Sequence, residues 1–410
     1  MQNFEQKLEK YASLAVEIGI NMQPGQTLVI SAPVLAADFV RNIAKRAYEA
    51  GAKHVHVDWA DDALTRMKFE MAPDDAFLEY PLWRAKGWEE MAENNAAFLT
   101  VVASDPDLLK GIDPVRIANA NKTARSAMQP FRSYLMADKV SWSIIAVPSP
   151  AWASKVFPEL PAEKQVDALW DAIFTATRVD KDDPVAAWKT HIQTLGSKAD
   201  MLNKKKYKAM HYRAKGTDLT IELPEKHLWV SAGSENAKGT VFIANIPTEE
   251  VFTAPLKTGV NGVVTSTKPL SYSGTLIRNF SLTFHEGRII DFTAEEGYDT
   301  LKQLVETDEG SHYLGEVALV PHRSPISDMN LIFFHTLFDE NASNHLAIGN
   351  GYAFNLVGGK AMSKEELQTE GLNSSLVHVD FMIGSRDMDI DGILQNGTKE
   401  AIFRNGNWAF

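Results

Sequence analysis

The chain has 410 residues, 45% hydrophobic and 23% charged, with 41 basic against 53 acidic side chains and a net charge of −12. Apolar content in the globular range excludes a disordered or fibrous chain, and the length implies two domains, because a single core stops growing near this size. The acidic balance argues against sequence-independent nucleic-acid binding, which needs cationic surface to displace counterions.

The first half alternates helical and strand patterns. Leu8, Leu14, Ala15 and Ile18 make a helical stripe that Pro24 and Gly25 stop, and Thr27–Ser31 is a short β-rich run. A helical segment from Ala36 to Glu49 ends at Ala50–Ala52 and leads into a strand from His54 to Trp59. Ala97–Ala103 and Trp142–Val147 read as two more strands with helical patterns between, and helices over Glu163–Thr177 and Pro184–Lys205 close this half. Strands separated by helices of this length imply βαβ crossovers and a parallel sheet covered on both faces. Past Lys208 strands and turns dominate, with one helix near Glu296–Glu306. The predicted architecture is α/β: an N-terminal open, mostly parallel α/β domain over 1–200, followed by a β-rich α+β catalytic domain over 201–410.

No cysteine is present. Disulfides, thiolate zinc sites and cysteine nucleophiles are therefore excluded, and any metal must be held by nitrogen and oxygen. The polar N-terminus lacks the apolar core of a signal peptide, and no run approaches a membrane span; the expectation is a cytoplasmic protein with no membrane partner. The basic cluster Lys204–Lys206, Lys208, Arg213 and Lys215 reads as a solvated helix end at a domain junction. Gly349-Asn350-Gly351 lacks the third glycine of a dinucleotide fingerprint, and Gly358-Gly359-Lys360 lacks the hydroxyl residue of a P-loop.

Two stretches place imidazoles beside carboxylates. His54, His56 and Asp58 alternate along a strand, but no further acid or histidine is placed to complete a metal site, so a polar sheet face is the expected reading. The strand Ser375–Gly384 is different: apolar except for His378 and Asp380, whose spacing puts them on one face with Cα atoms about 6.6 Å apart. Two ionisable groups on a buried strand are costly unless paired, and a divalent cation would offset that cost. Upstream, a loop-rich segment carries Glu340 and His345 and ends in a glycine-rich turn and Tyr352; Glu316 is the lone charge of an apolar strand; Glu249 and Glu250 enter a β segment. Two histidines, three glutamates and an aspartate suit a pair of zinc, cobalt, manganese or magnesium ions, of the kind a bridging carboxylate holds about 3.5–4 Å apart in hydrolytic sites.

These motifs, Thr248–Pro255, Leu314–Leu319, Leu337–Ser343 with His345 and Tyr352, and Val377–Asp380, resemble in that order the thermophilic aminopeptidase family, bacterial metallo-aminopeptidases of the aminopeptidase T, aminopeptidase S and PepS type. The resemblance covers the whole chain. It implies removal of N-terminal residues from short peptides by a homodimer carrying two divalent metal ions. Carried over by position, it makes Glu250, Glu316, His345, His378 and Asp380 metal ligands, with Glu316 the bridge, Glu340 a ligand or an adjacent base, and Tyr352 the catalytic side chain. The residues alone leave open another metal-dependent amide hydrolase, such as a deacylase, and a non-catalytic binding protein built on the α/β domain.

Overall fold

The computed structural model describes residues 3–103, 105 and 107–410; Met1 and Gln2 of the polar N-terminus lie outside them. The chain forms two compact units, one of residues 1–190 and 233–247, the other of 191–232 and 248–410. The division falls within the Pro184–Lys205 helix. Segment 233–247 returns to the first unit, a double crossing that a single cut near residue 200 does not contain.

In the first unit the strands Thr27–Pro33, His54–Ala60, Ala97–Val102 and Trp142–Ala146 form a parallel sheet with His54–Ala60 at one edge. Thr27–Pro33 lies inside the sheet, and its Leu28, Val29 and Ile30 are fully buried, the signature of a strand covered on both faces. The helix Ala37–Glu49 buries Phe39, Val40, Ile43 and Ala47, one face at helical spacing. Phe39 stacks on Tyr11 at 5.1 Å, and the Tyr11 hydroxyl donates to the Ala146 carbonyl at 3.0 Å, which satisfies the polar end of a fully buried ring. Segment 233–247 forms the hairpin Gly233–Glu235 with Val241–Ile243, and the Ile144 amide donates to the Ala244 carbonyl at 2.8 Å.

The second unit is strand-rich, as expected, and its strands run antiparallel. Its eight-stranded sheet runs in the order 288–293, 281–285, 260–265, 217–222, 209–214, 389–393, 399–404, 407–408. A separate four-stranded sheet places His378–Met382, His345–Gly349, Leu314–Leu319 and Val251–Thr253 side by side. The two sheets share one apolar core, to which Leu219, Ile390 and Phe403 contribute from the larger sheet and Val317, Leu346 and Phe381 from the smaller. No helix among the described residues is long and apolar enough to cross a membrane.

Candidate metal centre

The four-stranded sheet has one face in the core and one face carrying the chemistry. Leu314, Val317 and Leu319, Leu346 and Ile348, and Phe381 all belong to the core. Period-two alternation then sends Glu316 and Ala318, His345 and Ala347, and His378 and Asp380 to the other face. Across the strands Glu316 pairs with Ala347, and Ala347 with Asp380, so the two carboxylates share a row with only a methyl between them. The next row holds Ala318 and His345; the row on the other side sets Gly349 opposite His378.

A register shift makes this possible. Leu314 pairs with Ile348 and Glu316 with Ala347, so one extra residue, Gly315, is inserted on this strand. Without that bulge Leu314 and Glu316 would share a face, and either the leucine would leave the core or the glutamate would enter it. Gly315 is required by a close approach: a Cβ there would lie 2.2 Å from the Asn350 carbonyl oxygen and 2.5 Å from that of Gly349.

Glu250 precedes the strand Val251–Thr253, whose Val251 pairs with Leu319 in the core. Alternation therefore brings Glu250 to the chemical face, and its Oε2 lies 3.1 Å from His345 Nε2. Glu249 takes a different partner, with Oε2 3.4 Å from His191 Nε2. Glu316 serves two imidazoles at once: Oε1 is 3.4 Å from His345 Nε2, and Oε2 is 3.6 Å from His378 Nε2. Asp380 Oδ1 is 3.5 Å from His378 Nε2.

Two three-residue groups result, Glu250–Glu316–His345 and Glu316–His378–Asp380, each with one ligand atom per residue within 4.8 Å of the others. Glu316 belongs to both. His378 Nδ1 lies 2.7 Å from the Asn350 carbonyl and His345 Nδ1 lies 3.2 Å from the Ser343 carbonyl. A carbonyl only accepts, so Nδ1 is the donor in each ring and Nε2 is the atom turned toward the carboxylates, the tautomer a metal ligand needs.

Charge is unbalanced in this buried place. Burial pushes the Glu316 carboxyl up, although His345 and His378 draw it down. Burial also depresses His345, yet its bonds to Glu250 and Glu316 outweigh that and hold it well above its ordinary value. Burial likewise lowers His378, but Asp380 and Glu316 raise it to about 10. Asp380 is raised by burial and lowered further by the two histidines, ending below the usual carboxylate range. Glu340, the first residue of a short turn over Glu340–Ala342, lies outside both groups; burial and then the charges of Asp380 and Glu250 raise it well above its ordinary value. Four carboxyl groups thus face two imidazoles, and burial together with mutual repulsion raises two of the four, Glu316 and Glu340. Asp380 Oδ1 is buried with no hydrogen-bond donor. An oxygen-rich, negatively charged pocket with an unsatisfied carboxylate oxygen fits divalent cations.

Tyr352 borders the cluster. Its ring lies 4.8 Å from the His378 ring and stacks on Phe354 at 5.1 Å. Burial first, and then the charges of Glu316, Asp380, Glu340 and Glu250, hold its hydroxyl protonated far above the ordinary phenol range. The turn leading to it needs Gly349, whose φ is +108° and whose added Cβ would lie 2.2 Å from the Val377 carbonyl oxygen.

The structure therefore brings Glu250, Glu316, His345, His378 and Asp380 together, with Glu340 and Tyr352 alongside. It does not recruit His54, His56 and Asp58: the strand His54–Ala60 is the sheet edge, its two histidines are exposed, and Asp58 pairs with Arg84. Lys205, in the basic cluster, pairs with Glu400 at 2.7 Å. Sequence reasoning missed Gly315, Ala347 and the Ser343 and Asn350 carbonyls. A glycine beside the lone glutamate of an apolar strand is the signal that could have found the bulge.

Residues 4–408 match the family described as thermophilic metalloprotease (M29). The chain is 61% identical over 410 residues to aminopeptidase AmpS of Bacillus subtilis (strain 168), with all of each chain covered. It is 56% identical to aminopeptidase 2 of Geobacillus stearothermophilus, covering 100% of this chain and 99% of the relative. Among solved structures, wild-type AmpT from Thermus thermophilus superposes with a TM-score of 0.94 at 41% identity, covering 99% of this chain and 100% of that one.

Proposed function

The chain belongs to the thermophilic metalloprotease family M29 and is a metallo-aminopeptidase, and from that premise we propose that it releases single N-terminal amino acids from short peptides with two divalent ions. Glu250, Glu316 and His345 would hold one ion, and Glu316, His378 and Asp380 the other, with Glu316 shared. The observation that carries this reading is Glu316 itself, whose two carboxylate oxygens point to different histidines in two ligand groups. Zinc, cobalt, manganese and magnesium all suit these donors.

Bound ions of this kind polarise the scissile carbonyl and lower the pKa of a nearby water toward neutrality. The chain's own residues do the rest. The Tyr352 hydroxyl, kept protonated by its surroundings, donates a hydrogen bond to the oxyanion as the carbonyl becomes tetrahedral. Of the two roles open to Glu340, the base is proposed: it lies outside both ligand groups, and its raised pKa suits a carboxyl that takes a proton and returns it to the leaving amine. The Ser343 and Asn350 carbonyls hold the two imidazoles in orientation. The assembly proposed is a cytoplasmic homodimer; exposed Leu64, Met71, Leu82 and Trp83 supply apolar surface that a second copy would cover.

The test is hydrolysis of leucine p-nitroanilide by chelator-treated protein before and after adding zinc, cobalt or manganese, alongside metal analysis. Activity lost on chelation and restored at two ions per chain supports the proposal. Restoration at one ion per chain would defeat the two-ion reading, and cleavage of an N-acetylated peptide at a comparable rate would favour a deacylase.

A further inference from the structure

A small pocket open to solvent adjoins the cluster, with Glu340 and Asp380 among its lining and Leu270, Phe334, His335 and Met382 in its walls. Its walls are fixed. The Thr267 amide donates to the Met382 carbonyl at 2.9 Å and the Thr267 hydroxyl to the Gly384 carbonyl at 2.8 Å, tying the segment before Leu270 to the strand that carries Asp380. The turn at 333–335 wraps around the Asp339 carboxylate, which accepts the Phe333 amide at 2.8 Å and the His335 amide at 3.0 Å. Between those donors Phe334 has φ of +55°, left-handed backbone that a bulky side chain adopts only where the surroundings impose it.

We propose that this cavity receives the side chain of the substrate's first residue and that Phe334 sets its size limit, favouring aliphatic over aromatic and acidic side chains. The inference rests on the aminopeptidase reading above. The free α-amine and the scissile carbonyl sit on one Cα, so the first side chain departs within a bond of the groups held at the cluster. A cavity lined by Glu340 and Asp380 is where that side chain goes. Leu270, Phe334 and Met382 give it apolar walls, and burial holds His335 down at about 4, so it adds no cation at neutral pH. Among the described residues the lining offers a substrate carboxylate no free cation, because Lys268 already answers the charge of Asp339.

The experiment measures kcat/KM for the metal-loaded enzyme on alanine, leucine, methionine, phenylalanine and glutamate p-nitroanilides, and on leucyl dipeptides that vary the second residue. Phe334→Ala should raise the phenylalanine-to-leucine ratio about tenfold, the scale of a cavity gain in an apolar pocket. Phe334→Leu, which keeps bulk and folds more safely, should fall between, and Leu270→Ala should shift the same ratio. The second-residue series should keep its order. Unchanged first-residue preference in active variants, or a change confined to the second-residue series, would overturn the assignment while leaving the aminopeptidase reading intact. A wild-type enzyme inactive on every p-nitroanilide and dipeptide would remove that reading, and this one with it.

Discussion

Glu316 is buried, its pKa is raised, and its two oxygens face two imidazoles that are themselves raised by carboxylates. In the absence of ions these groups compensate one another by sharing protons, an arrangement that a dication displaces. Ligation needs an unprotonated Nε2, yet Asp380 and Glu316 hold His378 at about 10 against the depressing effect of burial. Metal binding must therefore expel protons, and apparent affinity should rise steadily from about pH 6 to about pH 9. Calorimetric titration in two buffers of different ionisation enthalpy checks this; equal heats and a pH-independent affinity would contradict it. The sign for ion-free stability is the reverse. A histidine raised above its unfolded value near 6.5 contributes stability fully present below about pH 6.5 and lost as pH rises through about 10. Tyr352 tests a different property. Tyr352→Phe keeps the ring beside His378 and removes only the donor, so metal content should be unchanged and kcat should fall about 10²–10³-fold, the range for a lost oxyanion donor. Normal turnover by this variant would reassign the tyrosine to packing.

At the scale of elements, the site depends on a strand that changes face partway along. The bulge at Gly315 lets Leu314 and Val317 stay in the core while Glu316 points to the site. Gly315→Ala places a methyl 2.2 Å from the Asn350 carbonyl oxygen, whose group also orients His378. The expected outcome is a loss of about 1–3 kcal/mol in stability, as for overpacking, together with weakened metal binding. Thermal denaturation and metal titration of the variant measure the two effects, and a fall in stability with metal affinity untouched would separate the bulge from the site. The His–Asp pair of the Ser375–Gly384 run was legible in the sequence because alternation is local and an apolar strand makes its two ionisable residues conspicuous. The choice between Glu249 and Glu250 was not: the strand they enter is three residues long, and only its pairing with Leu314–Leu319 shows which face Glu250 joins. His54, His56 and Asp58 show the converse, a metal-like pattern on a sheet edge that forms no ligand group among the described residues.

For the whole molecule, Leu64, Met71, Leu82 and Trp83 expose large side chains between residues 64 and 83, with Met71 80% and Trp83 78% accessible. Single exposed apolar residues are ordinary; these four are the surface that the proposed dimer would cover. If they form the dimer contact, Trp83→Arg should shift the mass from a dimer to the 45.4 kDa chain in light scattering, while each chain keeps its own metal site. A wild-type chain already at 45.4 kDa would dispose of the dimer. The class of each half, the absence of thiolate chemistry and the candidate residues could be read from the chain before folding, because composition, periodicity and side-chain type are properties of short stretches. It took the folded chain to show that Glu250, just before one strand, and Glu316, His345, His378 and Asp380, on three others, share one face. Strand order, register and the bulge are set by backbone hydrogen bonds and core packing between segments distant in sequence, and no local pattern encodes them.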